Sequence, residues 1–362
     1  MFFKMPVLVY QEKNCVNNHK EDLKELGKKA LIVTGRHGAK VCGALLDVQS
    51  ALESAEIPNI LFDEIEENPS VETIMKARET GLRAQVDFVI GIGGGSPMDA
   101  AKAIALMLAN PGKGEEFLYE KTEGAKAYPV VAIPTTCGTG SEVTGVAVLT
   151  RHAICKKASM THTVFPVLAL VDGKYLAAAP KNVLCNTAAD ALAHLIESYL
   201  NTNATDCSRM FVREGMRLWC LSKDILLGER AAKYEDYCNM INASVCAGMA
   251  ISHTGTSLPH GLSYYVTYEL GVPHGKACGY FLAGYLKEAP EKERNYILEL
   301  SGFSCMHDFE NFIKTVCDLT ILPQELLKRA AAGIGNDNAK LKNCPFKTDA
   351  SLLKRIAGVF EV

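Results

Sequence analysis

The stretch VDFVIGIGGGSPMDAAK, residues 86–102, contains the pattern that decides the fold of the first half of the chain. Residues 86–92 are an apolar run typical of a buried parallel strand. Three glycines follow, and 96–109 has the composition of a helix with Ser96 as its N-cap. Because a glycine-rich turn into a helix presents free N–H groups to an anion, we expect it to bind a pyrophosphate.

Strands and helices alternate on both sides of this turn. Further runs that predict strands lie at 30–35, 59–65 and 129–136, and helical patterns separate them. A short β-segment, AVLT then LALVD, comes before residue 173. Such alternation indicates a parallel sheet covered by helices on both faces. After about residue 180 nearly every segment has helical period and length. We therefore predict an α/β dinucleotide-binding domain at 1–179 and an all-helical domain at 180–362, with Pro180 at the boundary.

The composition excludes several classes of protein. The chain has 362 residues, is 48% hydrophobic and carries a net charge of −3, so we expect neither a nucleic-acid partner nor an anionic membrane partner. No apolar run is long enough to span a membrane, and the N-terminus lacks the features of a secretory signal. The 13 cysteines are scattered and contain no C-x-x-C pair, which predicts reduced thiols and a cytoplasmic location.

A second polar loop follows the next predicted strand. PTTCGTGSEVT, residues 134–144, carries five hydroxyl side chains. Since neighbouring strand ends of an open α/β sheet face one crevice, both loops can line the same ligand. The glycine turn follows the third strand rather than the first, so its spacing alone is weak evidence. Asp99 either hydrogen-bonds the cofactor or only complements the helix dipole. Together the two loops predict dinucleotide binding.

The helix at 181–200 places a carboxylate and an imidazole on one buried face. Asp190 and His194 are four residues apart and so lie one turn from each other. They are either a hydrogen-bonded pair that joins two helices or half of a site for Fe(II) or Zn(II). His260 and His274, each between proline and glycine, are candidates for the other ligands, although each can equally be a histidine at a helix end.

Four motifs in this order resemble the iron-containing alcohol dehydrogenase family over essentially the whole chain: GGGSPMDAAK, PTTCGTGSEVT, DALAH and PHG-x₁₂-HG. The resemblance implies a dehydroquinate synthase-like fold with an α/β N-terminal domain and a helical C-terminal domain. It implies that the metal ligands, which face the nicotinamide across the cleft, are Asp190, His194, His260 and His274. It places around the cofactor Gly93, Gly94, Gly95, Ser96, Asp99, Thr135, Thr136, Thr139, Ser141, Thr144 and Lys157.

Two positions depart from the family pattern. Many members carry a histidine one turn after the third ligand, where it helps to move the proton, and here that position is Tyr264. Its reference pKa near 10 makes a phenol a poor base at neutral pH. NAD-preferring members have an acidic residue at the position of Gly35, whereas this chain has VTGRHGAK. Arg36 therefore suits the 2′-phosphate of NADP, unless the turn is only a basic surface.

The resulting hypothesis is a metal-dependent, NADP-preferring alcohol dehydrogenase for small primary alcohols or diols and their aldehydes. The donor set suits Fe(II) and Zn(II), and the family resemblance favours iron. One alternative is a zinc-dependent glycerol or polyol dehydrogenase of the same superfamily. A second alternative, from another class, is an inactive nucleotide-binding scaffold, against which the four-ligand set argues. We expect a small-molecule substrate and a homodimer or higher homo-oligomer.

Overall fold

The computed structural model describes residues 3–154 and 156–359. The chain divides into two compact units. The α/β unit consists of the described residues of 5–136 and 140–179. The helical unit consists of the described residues of 180–362 together with Phe3, Lys4 and the short segment 137–139. No helix in the described part of the chain is long and apolar enough to cross a membrane.

The α/β unit is built on a parallel sheet. Its strands in the described residues are β1 (Leu8–Gln11), β2 (Ala30–Thr34), β3 (Asn59–Phe62), β4 (Phe88–Gly93), β5 (Val130–Pro134), β6 (Val148–Arg151), β7 (Lys156–Ser159) and β8 (Leu168–Val171). Six of them form one sheet in the order β1-β8-β5-β4-β2-β3, with every neighbouring pair parallel. β6 and β7 form a separate antiparallel pair. The turns after β2, β4 and β5 therefore all lie at the carboxyl ends of the strands, on the same side of the sheet.

Helices cover both faces of this sheet. They are α1 (Cys15–Asn18), α2 (Gly38–Val41), α3 (Ala44–Ser54), α4 (Val71–Ala84) and α5 (Gly95–Leu108). On one face Leu31 of β2 packs in a buried cluster with residues of α4 and α5. On the other face Ile32 and Ile90 pack in a second cluster with residues of α3. Successive side chains of a strand point to opposite faces, so one buried strand contributes to both cores.

The helical unit surrounds one central helix. Its helices are α6 (Lys181–Leu200), α7 (Asp206–Cys220), α8 (Lys223–Leu227), α9 (Tyr234–Thr254), α10 (Leu258–Leu270), α11 (His274–Lys287), α12 (Glu291–Leu300), α13 (Met306–Val316), α14 (Gln324–Ile334), α15 (Asn338–Asn343) and α16 (Ala350–Ala357). α6 packs against α7, α9 and α11, and every residue from 188 to 198 is buried. Any polar side chain in that run must therefore find a partner inside the protein.

The structure confirms the predicted fold, a parallel α/β sheet followed by a helical second half, and corrects some details. β1 and β7 were not predicted; β1 pairs only with β8 at the sheet edge and is only partly buried, so its hydrophobic signal is weak. The prediction of Ser96 as N-cap is wrong. α5 already begins at Gly95, with Gly94 as the N-cap, because the chain turns into the helix directly after β4.

Candidate functional site

Four side chains that can bind a metal ion lie together in the helical unit. They are Asp190 of α6, His260 of α10, and His274 and Cys278 of α11. One donor atom of each lies within 4.8 Å of the donor atoms of the other three. Cys278 was not among the predicted ligands, although it follows His274 by four residues. That is the same one-turn spacing that pointed to Asp190 and His194.

The donor atoms in this group are arranged as ligands of one cation would be. Asp190 Oδ1 lies 3.3 Å from His260 Nε2 and 3.7 Å from His274 Nε2. Asp190 Oδ1 and His260 Nε2 are both buried, and neither makes a hydrogen bond within the described residues. Since buried polar atoms are nearly always satisfied in a folded protein, a bound cation would supply the missing partner for both atoms. The residues present therefore fit a divalent metal.

The electrostatic environment keeps Asp190 and the neighbouring His194 in the protonation states that a metal requires, whereas Cys278, Glu197 and Asp190 hold the pKa of His260 above its ordinary value despite burial, so metal binding must displace a proton there. Burial would raise the pKa of the Asp190 carboxyl, but His194, His274 and His260 around it hold that pKa below its ordinary value. Burial lowers the pKa of His194 to about 4, against the attraction of Asp190. At neutral pH the carboxylate is ionised and this imidazole is neutral, which are the forms that bind metals.

His194 lies beside the group of four donors without being part of it. Its ring stacks on that of His260, with centroids 4.3 Å apart and planes 19° apart. Its Nδ1 lies 3.2 Å from the carbonyl oxygen of Gly138. Because a carbonyl can only accept, Nδ1 carries the proton and Nε2 keeps its lone pair. The predicted role of His194 as a ligand stays a prediction.

Glu197 fixes the orientation of His260. This carboxylate is fully buried on α6 and accepts hydrogen bonds from His260 Nδ1 and from the backbone N–H of Ser257. With the proton held on Nδ1, the lone pair of His260 Nε2 points toward Asp190. Glu197 was not predicted. Its position seven residues, or two turns, after Asp190 on the same helix face is the signal that could have found it.

We expect Glu197→Gln to weaken metal binding without unfolding the protein. His260 Nδ1 and the N–H of Ser257 bond to different oxygens of Glu197, and glutamine replaces one of these oxygens with an NH2 donor, so the imidazole of His260 loses its fixed tautomer or Ser257 loses its acceptor. Losing such an outer partner costs about 10- to 100-fold in metal affinity. Metal titration against a competing chelator measures this. Glu214→Gln, on the exposed part of α7 where Glu214 pairs with Arg217, is the matched control. Equal metal affinity for wild type and Glu197→Gln would contradict the assignment.

Close packing of α11 against α6 brings the donors together. Gly275 follows His274 directly, and a Cβ on Gly275 would lie 1.8 Å from the carbonyl oxygen of Asn186 and 3.0 Å from Asp190 Cβ. Only glycine allows the two helices to approach this closely. Because Gly275 has no side chain, α11 can approach α6 closely enough for His274 to lie beside Asp190.

Tyr264 lies next to the donor group. Its ring is 5.8 Å from the ring of His274 with an interplanar angle of 24°, and the side chain is half-buried. Lys340 Nζ lies 5.5 Å from the centroid of the Tyr264 ring and hydrogen-bonds Thr256 Oγ1. The Tyr264 ring therefore has an imidazole and an ammonium group as neighbours, and its predicted catalytic role stays a prediction.

In the α/β unit, the turn from β4 into α5 has the shape of an anion cradle. Gly93 has φ 151°, and a Cβ there would lie 2.6 Å from Pro97 Cγ. A Cβ on Gly94 would lie 3.1 Å from Thr136 Oγ1, in the loop that follows β5. Side chains at either position would close the space in front of the α5 N-terminus. The glycine turn and the second polar loop thus meet at the carboxyl ends of neighbouring strands, beside the N-terminus of α5.

Three of the predicted cofactor residues hydrogen-bond to a buried lysine. Lys102 of α5 is fully buried, and its Nζ donates to Ser141 Oγ at 2.6 Å and to Thr144 Oγ1 at 3.3 Å. Asp99 Oδ1 accepts from Ser141 Oγ at 2.6 Å, and its Oδ2 accepts from the N–H of Val148 at 2.9 Å. This network holds the second loop against α5, and Lys102 was not predicted.

Lys157 reaches the glycine turn through one intermediate residue. Its Nζ donates to Asn68 Oδ1 at 2.6 Å, and the N–H of Asn68 donates to Ser96 Oγ at 3.1 Å. Among the other predicted residues, Thr135 bonds through its N–H to the carbonyl of Gly93. Thr139 belongs to the segment 137–139 of the helical unit. The cofactor roles of all these residues stay predictions.

A carboxylate from another part of the chain, Asp63, lies beside the turn after β2. Arg36 is exposed, as expected for a basic turn. Lys40, however, pairs at 2.5 Å with Asp63, which directly follows β3. The hydrogen bond from Lys40 is the main cause of the lowered pKa of Asp63, and Arg36 lowers it further. A Cβ on Gly35 would lie 3.2 Å from the carbonyl oxygen of Ile65, so this turn also packs closely.

Comparison with known families gives matches along most of the chain. The iron-containing alcohol dehydrogenase family matches residues 6–173, and the Fe-containing alcohol dehydrogenase C-terminal family matches residues 184–328. The crystal structure of an iron-containing alcohol dehydrogenase from Thermotoga maritima is 35% identical in sequence. It superposes with a TM-score of 0.89 over 98% of either chain.

Curated relatives include enzymes of both cofactor types. An NADPH-dependent butanol dehydrogenase of Clostridium saccharobutylicum is 30% identical over 79% of this chain and 74% of its own length. An NAD-dependent methanol dehydrogenase of Bacillus methanolicus is 32% identical over 70% of this chain and 66% of its own length. The chain spans only 35% and 53% of the length of two other relatives that it matches.

Proposed function

The chain belongs to the iron-containing alcohol dehydrogenase family, and we propose that it is a metal-dependent dehydrogenase of small primary alcohols or diols and their aldehydes, with NADP(H) as its preferred cofactor. The observation that carries the proposal is the buried group of donor atoms around Asp190, in a chain whose other unit has a glycine cradle. A scaffold that only binds nucleotides has no use for such a group.

In this proposal Asp190, His194, His260 and His274 hold a divalent ion, and the family favours iron. When bound, such an ion acts as a Lewis acid toward the oxygen of an alcohol or aldehyde. The protein's own contribution is to keep Asp190 ionised, to keep His194 neutral and to orient His260 through Glu197. These residues are fixed by the packed helices α6, α10 and α11, so the donor atoms are arranged before the ion arrives.

The cofactor in this proposal binds in the α/β unit. When bound, a nicotinamide cofactor donates or accepts the hydride. The N-terminus of α5 and the turn before it would bind the pyrophosphate through backbone N–H groups. Lys102 and Asp99 keep the second loop in place, and Lys157 holds Asn68 against Ser96. These interactions support a rigid loop that needs little rearrangement on binding.

Tyr264→Phe should lower kcat by no more than about tenfold and leave KM nearly unchanged. A phenol is a weak base at neutral pH, so water and the cofactor ribose would carry most of the proton transfer. Steady-state kinetics with an aldehyde substrate measure the effect. Tyr264→His should be tolerated, because many members of the family carry histidine there. A loss of about a thousandfold in Tyr264→Phe would instead show the phenol to be an essential acid.

Assays with purified protein test the proposed function. The protein is freed of metal, reloaded with Fe(II) or Zn(II), and given butanal, 3-hydroxypropanal or glycerol with each cofactor. We expect metal-dependent aldehyde reduction that is faster with NADPH. Zinc-dependent oxidation of glycerol in preference to propanol would favour the polyol dehydrogenase. No turnover under any condition would favour the scaffold.

We also propose a cytoplasmic location and a homo-oligomeric state. The twelve cysteines in the described residues are all free, which supports a reducing compartment. Size-exclusion chromatography with light scattering checks the oligomeric state, for which we expect a homodimer or a larger assembly.

A further inference from the structure

We propose that the sulfur of Cys278 binds the same metal ion as Asp190, His260 and His274, in the position that the proposed function above gives to His194, and that this sulfur makes the site favour zinc over iron. The inference rests on the metal-dependent function proposed above. It adds a donor that the resemblance to the family does not assign.

The helix geometry directs Cys278 toward the other donors. α11 begins at His274, so Cys278 lies one turn further on the same face of the helix. Cys278 is fully buried, and its Sγ lies 3.9 Å from His274 Nε2. It also lies within 4.8 Å of the donor atoms of Asp190 and His260. The sulfur therefore faces the same small space as three oxygen and nitrogen donors.

Two unsatisfied atoms independently mark this space as a cation site. The side chains of Asp190 and His260 are each only 3% exposed. Asp190 Oδ1 and His260 Nε2 have no hydrogen-bond partner in the described residues, yet they lie 3.3 Å apart. The two atoms point at each other across a gap that suits a shared ion. The thiol group is the fourth donor around that gap.

The distances match those expected for ligands of a single zinc ion. Zinc lies about 2.0–2.2 Å from nitrogen and oxygen and about 2.3 Å from sulfur, so neighbouring tetrahedral ligands are separated by roughly 3.3–3.6 Å. Three of the six separations among these four donors are 3.3, 3.7 and 3.9 Å, and all six are within 4.8 Å. Small side-chain rotations close the remaining difference.

A sulfur donor changes which metal the site prefers. Thiolate is a soft ligand that suits zinc, whereas a site of carboxylate and imidazole alone suits Fe(II) as well. On binding, the thiol releases its proton to solvent as the metal–sulfur bond forms, so no oxidant or reductant is needed. The competing arrangement is a thiol that only donates a weak hydrogen bond to His274 Nε2 and leaves the metal to nitrogen and oxygen donors.

Cobalt(II) in place of the native metal distinguishes these arrangements without measuring activity. We expect the cobalt-loaded full chain to show a sulfur-to-cobalt charge-transfer band in the near ultraviolet. The band should disappear in Cys278→Ser and persist in Cys317→Ser. Cys317 is the matched control because it is also buried against α11, where its Sγ lies 3.0 Å from a Cβ built on Gly279. X-ray absorption of the zinc-loaded wild type gives the same answer without any variant, as a zinc–sulfur distance of about 2.3 Å.

Metal affinities complete the test. Cys278→Ser should weaken zinc binding by about tenfold or more, because a direct ligand matters at least as much as an outer partner. The affinity of Cys278→Ser for iron should change less than its affinity for zinc. The ratio of zinc affinity to iron affinity should therefore be smaller in this variant than in the wild type. Cobalt that binds without a charge-transfer band, together with a zinc spectrum lacking sulfur, would overturn the role of Cys278 and leave the proposed function intact. Failure of the wild type to bind any of the three metals would overturn both.

Discussion

Replacing His274 with alanine is expected to remove bound metal and to abolish turnover while the protein stays folded. His274 supplies one of the grouped donor atoms. A Lewis acid in such a site lowers the activation barrier by several kcal/mol, which corresponds to a rate increase of about 10³-fold or more. Its side chain is 25% exposed and lies at the first position of α11, so its truncation leaves the core of the unit packed. Asp190→Ala, by contrast, would leave the buried His260 without the carboxylate that faces it.

The experiment combines metal analysis, steady-state kinetics and thermal unfolding of the same preparations. His307→Ala is the matched control, because His307 lies on α13 and contacts Asn311 rather than the donor group. We expect His307→Ala to retain metal and activity. Full activity in a metal-free preparation, or normal turnover in His274→Ala, would refute the proposed mechanism.

Gly35→Asp is expected to weaken the use of NADPH far more than the use of NADH. A carboxylate at this turn would repel the 2′-phosphate that Arg36 can bind and would accept the 2′-hydroxyl of NAD instead. Charged hydrogen bonds of this kind are worth about 1.5–3 kcal/mol, so kcat/KM for NADPH should fall by about 10- to 100-fold. Equal kcat/KM for the two cofactors in the wild type would refute the NADP preference.

Two further variants separate charge from packing at this turn. A Cβ at position 35 would lie 3.2 Å from the carbonyl of Ile65, so Gly35→Ala measures the steric cost alone and should affect both cofactors equally. Asp63→Asn frees Lys40 from its ion pair and should improve NADPH use. If Gly35→Ala reproduces the whole effect of Gly35→Asp, the selectivity arises from packing and not from charge.

The sequence by itself determined the order of the two halves and the central strands and helices, although not β1 and β7. Apolar runs such as 86–92, glycines at the strand end and helical periodicity after 180 depend only on the backbone preferences of neighbouring residues. The same local logic put Asp190 and His194 on one face of α6. The resemblance to a known family then selected His260 and His274 from nine histidines, a choice that spacing left open.

Only the tertiary structure decided which side chains share a space. Cys278 and Glu197 join the donor group because Gly275 lets α11 approach α6 closely and because α10 turns His260 toward both helices. Lys102 contacts Asp99, Ser141 and Thr144 through its ammonium group. Asp63, at the end of the neighbouring strand β3, forms an ion pair with Lys40. Distances between residues far apart in sequence are set by packing and close backbone approach, which no local pattern of residues encodes.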